Sequence, residues 1–290
     1  MSDRSAPPLP EPLPAPVYDD HTHINFAEDA ELWSRDGEPL ALDTAHRALD
    51  QAESVGVRGV VQVGTNVLDS RWAVALAERD SRVLAAVAVH PNDAPALAAA
   101  GALDDALAEL DGLAQRPRVR AIGETGMDFF RTGADGIDAQ RASFLGHIEI
   151  AKRHGLALQI HDRDAHDAIA DLLDEVGAPE RTVLHCFSGD ARFARRCVDA
   201  GYFLSFAGTV TFKNAPALRE ALAITPLDRI LVETDAPFLT PEPYRGRPNS
   251  PYLVPLTLRR MAEVLGLDVA ELGRRIAANA ERVYGSWEGQ

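Results

Sequence analysis

Cysteine is almost missing from this 290-residue chain, where only Cys186 and Cys197 occur. Two thiols cannot build a disulfide framework, which points to a reducing, cytoplasmic setting. Lysine is just as scarce: Lys152 and Lys213 are the only two among 29 basic residues, set against 44 acidic ones for a net charge of −15. So acidic a surface repels duplex DNA at long range and excludes a groove-coating, sequence-reading protein. It leaves room for a nuclease whose cations are confined to a cleft. No stretch approaches about 18 consecutive uncharged apolar residues, so neither a transmembrane helix nor a membrane partner is expected. The N-terminus lacks the basic-then-apolar order of a secretory signal. Neither an internal repeat nor a linker interrupts residues 17–286.

What is present reads as a single globular domain after a short arm. Hydrophobic residues make up 46% and charged residues 25%, enough for a sizeable core. Residues 1–16 carry Pro7, Pro8, Pro10, Pro12, Pro14 and Pro16 among small residues, the composition of a flexible, polyproline-like arm with no core of its own. From Val17 onward, short β-branched or aliphatic runs alternate with stretches of helical period. Strands are predicted over 17–20, 58–63, 82–89, 119–123, 156–160, 182–184, 202–206 and 230–232. Helices are predicted over 42–55, 68–79, 103–113, 139–154, 165–176, 190–200, 215–224, 253–265 and 269–284. Gly56, Gly155, Gly177 and Gly201 fall where helices should stop. Eight strands, each followed by helix, predict an α/β fold of the (β/α)8 TIM-barrel type. An open doubly wound sheet has the same alternation; the barrel is preferred for what collects at the strand ends.

In a strand, side chains at i and i+2 share a face, so His21 and His23 can aim two imidazoles at one point. Alone, a His-x-His pair is more often a surface or satisfied pair. Here it has company at later strand ends: His90, Glu124, His161, His185 and Asp235. Seven ionisable groups on one rim would be costly if buried unpaired, and metal ions remove that cost. One ion does not need so many ligands. Four His, one Glu and one Asp suit two ions about 3.5–4 Å apart with a bridging carboxylate. Glu124 is placed to bridge, and Asp235 to bind one ion and face the attacking water. His46, His147, His154 and His166 lie in predicted helices, where local hydrogen bonding is the default. Cys186 beside His185 reads as a buried bystander rather than a nucleophile.

Several stretches then carry a resemblance: Asp19-Asp20-His21-Thr22-His23, Val89-His90-Pro91, Ile122-Gly123-Glu124-Thr125-Gly126-Met127-Asp128-Phe129, Ile160-His161-Asp162-Arg163, His185-Cys186-Phe187-Ser188-Gly189, Glu233-Thr234-Asp235-Ala236-Pro237 and Arg245-Gly246-Arg247-Pro248-Asn249. In this order, over residues 17–286, the chain resembles the TatD family of metal-dependent deoxyribonucleases, within the amidohydrolase-like barrel superfamily. The resemblance implies that His21, His23 and Asp235 bind a first ion, that His161 and His185 bind a second, and that Glu124 is shared. It further implies Mg²⁺ or Mn²⁺ in function, with Zn²⁺ compatible, and activity on DNA ends, in some members also on RNA. Two positions depart from the family pattern. Asp162 stands where a small hydroxyl residue is usual, and Ser250 follows Asn249 where Glu is common, removing a charge from the last strand's loop.

The remaining rim residues keep open roles. Arg163 can hold a phosphate or form a salt bridge with Asp164 or Asp128. His90 can contact substrate phosphate, protonate a leaving oxygen or orient a ligand. Phe129 is expected in loop packing, with base stacking open. Glu233 is expected to support its neighbours on the same face, and residues 240–251, rich in proline, to form a rigid lip. The expected function is two-metal hydrolysis of DNA phosphodiesters, with Asp235 and Glu124 catalytic, His90 and Arg163 binding substrate, and no obligate protein partner. The alternatives are a hydrolase of a small ester, lactone or amide, and a non-catalytic scaffold using the proline-rich arm. That neither lysine falls at a strand end argues against a carboxylated-lysine bridge.

Overall fold

The structure, a computed structural model, describes residues 5–26, 39–40 and 42–288. Eight parallel strands follow one another around a single sheet in chain order: β1 (Val17–Thr22), β2 (Val57–Val63), β3 (Val83–Val87), β4 (Val119–Asp128), β5 (Ala157–Arg163), β6 (Thr182–Leu184), β7 (Phe203–Phe206) and β8 (Ile230–Val232). The helices are α1 (Leu42–Ser54), α2 (Val67–Ala77), α3 (Ala94–Ala99), α4 (Leu103–Leu113), α5 (Ile137–His154), α6 (His166–Val176), α7 (Ala191–Asp199), α8 (Pro216–Ile224), α9 (Val254–Leu265) and α10 (Val269–Tyr284). This is the predicted barrel. Gly56, Gly155, Gly177 and Gly201 all carry the positive φ expected at helix ends. No helix among the described residues is long and apolar enough to cross a membrane.

The strands are mostly apolar until they near the mouth, because both faces are covered. Val83, Ala85 and Val87 of β3 pack outward in the main core with the helices, whereas Leu84 and Ala86 point into the barrel. Ala86, Ala121 and Ala157 leave interior room that Tyr18, Phe203, Tyr284 and Trp287 fill. The Tyr18 and Trp287 rings stack at 3.9 Å, and the Trp287 indole N–H donates to the Val60 carbonyl at 3.2 Å. A Cβ on Gly59 would stand 2.5 Å from the Trp287 ring, so residue 59 must be glycine for this plug to seat. The plug closes the N-terminal end of the barrel. Chemistry is left the opposite, C-terminal mouth.

Three strands run further than their apolar patterns suggested: β1 to Thr22, β4 to Asp128 and β5 to Arg163. Backbone pairing continues after the side chains turn polar, which places His21, Glu124 and His161 inside strands rather than beyond them. The short helix α3 was not anticipated; its Ala-Pro-Ala-Leu-Ala-Ala sequence carries too little amphipathic pattern to register.

Residues 5–16, expected as a flexible arm, lie extended against the barrel. Arg247 donates to the Ser5 hydroxyl and the Ala6 carbonyl, Tyr252 to the Pro7 carbonyl, and Arg259 to the Glu11 carbonyl. The Leu13 amide bonds the Val55 carbonyl, and the Leu13 and Ala15 side chains are buried. Proline removes donors from such a segment but leaves its carbonyls to accept, and three arginine and tyrosine side chains use them.

The helical histidines behave as local hydrogen-bonding residues. His154 meets Asp111 at 2.8 Å and His166 meets Asp162 at 2.7 Å. His147 is fully buried, with Nε2 accepting the Val89 amide at 3.0 Å and Nδ1–H donating to the Ser143 carbonyl at 2.7 Å. Burial pushes its pKa down to about 4, against the pull of the Ser143 carbonyl. The folded state therefore keeps His147 neutral while the unfolded chain protonates it near pH 6.5. Between those values the unfolded chain binds more protons, so this group's contribution is full above about pH 6.5 and is lost by about pH 4. The loss is about 3 kcal/mol. Urea titrations of wild type and His147→Gln across this window test it: the two stability curves should converge as pH falls, and parallel curves would refute the assignment.

Candidate metal centre

β1 delivers His21 and His23 to the barrel mouth with their Nε2 atoms 3.2 Å apart. Glu124 Oε2 lies 3.6 and 3.5 Å from those two nitrogens, and Asp235 Oδ1 lies 3.9 and 3.6 Å from them. Ligands at about 2.0–2.2 Å around one ion stand roughly 3–3.6 Å from each other, so this four-atom group has the size of a cation's coordination shell. The other oxygen, Glu124 Oε1, faces a second group: His161 Nδ1 at 2.8 Å, His185 Nε2 at 2.9 Å and His90 Nε2 at 3.4 Å. All six expected ligands are thus brought together around Glu124.

The hydrogen bonds on the far sides of the rings decide which nitrogens are free to ligate. His23 Nδ1–H donates to the Val63 carbonyl at 3.0 Å, which leaves Nε2 with its lone pair toward the site. His185 Nδ1–H donates to Glu233 Oε1 at 3.3 Å, with the same consequence. Glu233 therefore supports a neighbour on the same face, as its position suggested, and it also accepts the Cys186 amide at 2.8 Å. Among the described residues, His21 Nδ1 and Glu233 Oε2 are buried polar atoms without a hydrogen-bond partner, close beside His185. His90 is different. The Asn92 amide donates to its Nδ1 at 3.0 Å, so neutral His90 carries its proton on Nε2, facing the site. That tautomer suits donation to an oxygen and disfavours ligation. His90, Glu124 and His161 nevertheless converge as closely as a metal group would.

Glu124 reaches the centre because β4 is irregular. The β4–β5 register shifts between Ile122 and Thr125. On the same stretch, Gly126 has φ of 133°, and a Cβ there would fall 2.1 Å from the His161 carbonyl oxygen. A bulge of this kind re-aims a side chain, here a carboxylate, into the barrel mouth.

Charge is concentrated. Burial tends to raise Glu124, but the His185, His90 and His161 imidazoles outweigh it and hold the carboxyl well below the usual range. Burial tends to lower His23, yet Asp235 and Glu124 carry it up to about 10. For His185 too the carboxylates of Glu124 and Glu233 win over burial and raise it. His21 moves the other way, lowered by burial and by His185, whose ring it stacks on at 3.8 Å. Without an ion, the carboxylates are balanced by protons on imidazoles; a divalent cation exchanges with such protons. The donor set and the spacing fit metal. Cys186 is a thiol rather than a thiolate, pushed well up by burial and by Asp235, Glu233 and Glu124, which agrees with a bystander.

Other positions were read less fully from sequence. Asp19 and Asp20 form a buried floor under the histidines. Asp19 accepts the Thr234 amide and hydroxyl, and burial lifts its pKa to about 8. Asp20 accepts from Ser205 and Tyr284. Their strand neighbours gave no hint of this network, because its partners lie 185 to 264 residues away. Asp162 accepts the Ala165 amide and pairs with His166, which gives that departure from the family pattern a local structural role. Phe129 packs against the core, whereas Phe130 is 64% exposed. Arg163 makes no ion pair with Asp164 or Asp128 among the described residues and lies instead 4.1 Å over the Phe130 ring. A cavity of about 690 Å³ lies elsewhere, lined by Arg181, Tyr202, Phe203, Arg229 and Arg282 on the plugged side.

Comparison with known proteins points to one family. The profile of a family described as "TatD related DNase" matches residues 18–285. A Mycobacterium tuberculosis protein named "Uncharacterized metal-dependent hydrolase TatD" is 44% identical over 93% of this chain and 98% of its own length. The "3'-5' ssDNA/RNA exonuclease TatD" of Salmonella typhimurium is 34% identical over 81% of this chain and 90% of its own. Among solved structures, YJJV, a TatD homolog from Escherichia coli, superposes with a TM-score of 0.81 at 27% identity, covering 93% of this chain and 98% of that one.

Proposed function

This chain belongs to the TatD family of metal-dependent hydrolases, and from that premise we propose that it hydrolyses phosphodiester bonds of DNA, and of RNA, from single-stranded ends. The direction expected from the Salmonella relative's name is 3′ to 5′. The observation that carries the reading is the division of Glu124, whose Oε2 serves the His21–His23–Asp235 group and whose Oε1 serves the His161–His185 group. Those six residues would hold two divalent ions, which when bound lower the pKa of a water and polarise a phosphoryl oxygen. Asp235, partly exposed at the mouth, accepts the proton of the attacking water. His90, with its Nε2–H toward the site, donates to the phosphate or to the leaving oxygen.

The test is digestion of 5′-fluorescent single-stranded oligonucleotides with Mg²⁺ or Mn²⁺, resolved by length. A ladder shortening from the 3′ end is expected. Intact oligonucleotide alongside hydrolysis of small chromogenic esters would overturn the proposal in favour of a small-ester hydrolase. Metal removal offers a second measurement. Dialysis against chelator should lower thermal stability by about 3–4 kcal/mol relative to protein holding ions at 100 to 1,000 times their Kd. Re-addition of Mg²⁺, Mn²⁺ or Zn²⁺ should restore it, and a melting temperature indifferent to chelator would contradict the ligand set.

A further inference from the structure

Four large apolar side chains are exposed among the described residues, and two of them are aromatic: Phe130 at 64% and Phe238 at 51%. Both stand at the catalytic mouth. Phe238 follows Asp235, its amide bonded to the Asp235 carbonyl, and its ring centroid is 6.4 Å from that of His23. Phe130 follows β4 on the other side of Glu124. Isolated exposed apolar groups need no explanation; a phenylalanine under a guanidinium beside a hydrolytic centre does.

Resting on the nuclease reading, we infer that Phe130 and Arg163 form a stacking platform for a nucleobase next to the scissile phosphate. The central carbon of the Arg163 guanidinium sits over the ring 4.1 Å from its centroid, within the range of a cation–π contact. The pair is held in place from below by one carboxylate. Asp128 Oδ1 accepts the Phe130 amide at 3.1 Å and the Arg131 amide at 2.8 Å, while Oδ2 meets His161 Nε2 at 3.2 Å. The Phe129 amide closes the link by donating to the Arg163 carbonyl at 2.9 Å. The platform is therefore rigidly referred to His161. A planar cation stacked on an exposed ring is the surface that unpaired bases take, and it tolerates any base because every base has a π face. Stacking between neighbouring pairs in a duplex covers those faces, so the platform selects single strands. It also assigns Arg163 to stacking in place of the phosphate clamp or salt bridge that the sequence allowed.

The experiment pairs variants with modified substrates. Phe130→Ala should raise KM for single-stranded DNA about tenfold with kcat within about twofold, and Phe130→Trp should preserve both. Arg163→Lys keeps the charge but not the plane, and should resemble Phe130→Ala rather than wild type. An abasic sugar scanned through the last positions should cost wild type about the same factor at one position, and cost Phe130→Ala nothing further there. Independently of turnover, 2-aminopurine at that position should be quenched on binding to Asp235→Asn and not to the Asp235→Asn, Phe130→Ala double variant. Wild-type KM in Phe130→Ala with an abasic scan flat in both proteins would overturn the platform while leaving the nuclease reading intact. Absence of any oligonucleotide digestion by wild type would overturn both.

Discussion

Glu124→Ala is expected to lower phosphodiester hydrolysis by a thousandfold or more, on the order of what charge stabilisation at such centres supplies. The side chain is buried, and each of its oxygens faces a different cluster of imidazoles. Removing it leaves His21, His23, His161 and His185 facing one another with no negative charge between the two groups. Metal content, measured by elemental analysis of the folded variant, should fall along with activity. Asp235→Asn separates the two effects. Asparagine retains an oxygen for the first group but accepts no proton, so kcat should drop by a comparable factor while most of the metal remains. A folded Glu124→Ala protein with near-wild-type metal content and rate would show that the carboxylate does not divide between two ions.

Gly126→Ala should be the most damaging single methyl group that can be added near the site. Its Cβ would lie 2.1 Å from the His161 carbonyl oxygen and 3.1 Å from the Ile160 side chain, and the φ of 133° is one that alanine rarely adopts. Neither neighbour can yield, because that carbonyl belongs to the β4–β5 ladder that sets Glu124 and His161 side by side. Backbone strain and overpacking together should cost about 3–5 kcal/mol. Chemical denaturation would report it as a lowered midpoint with an unchanged slope. Because the clash separates the two strands carrying one half of the site, activity should fall by more than the folded fraction does. A loss under about 1 kcal/mol would mean that β4 can relax without disturbing β5.

The fold was largely legible because the barrel alternates apolar strands with helical period, and both signals are local. Thr182–Leu184, Ile230–Val232, Leu103–Leu113 and Val269–Tyr284 lie within the predicted bounds to the residue. The strand ends were less legible for a physical reason: the mouth is where apolar side chains give way to His21, Glu124 and His161, so a pattern based on hydrophobicity stops before the hydrogen bonding does. The candidate ligands were legible as residue types at strand ends. Their pairing came from the family resemblance rather than from composition, since the split of Glu124 between two groups depends on a bulge that composition does not announce. Nor could sequence distinguish Phe129 from Phe130, adjacent and identical in type, one of which packs inward while the other is exposed at the mouth. The proline-rich segment misled in a similar way. Its composition says that it has no core of its own, and says nothing of the arginines at 247 and 259 that bind its carbonyls.

The barrel has one weak joint. Among the described residues, adjacent strands from β1 to β8 are laddered, whereas the β8 and β1 sides are joined toward the mouth by the Thr22–Ala236 bridge, by the bonds His23 N–H to Ala236 and Asp235 N–H to His21, and by Asp19 accepting from Thr234. The two sides of that joint carry three of the residues proposed to grip one ion. Cation binding there would act as a clasp on a hoop, and the hoop's resistance to springing open becomes a property of the ionic environment. Amide exchange at His23 and Asp235 should then slow sharply when ion is supplied, while exchange at the plugged base near Trp287 stays as it was. A cell that starves this protein of metal would lose more than turnover: the stave carrying Asp235 would be free to part from its neighbour, and the chain would become a target for proteases at the place where it works.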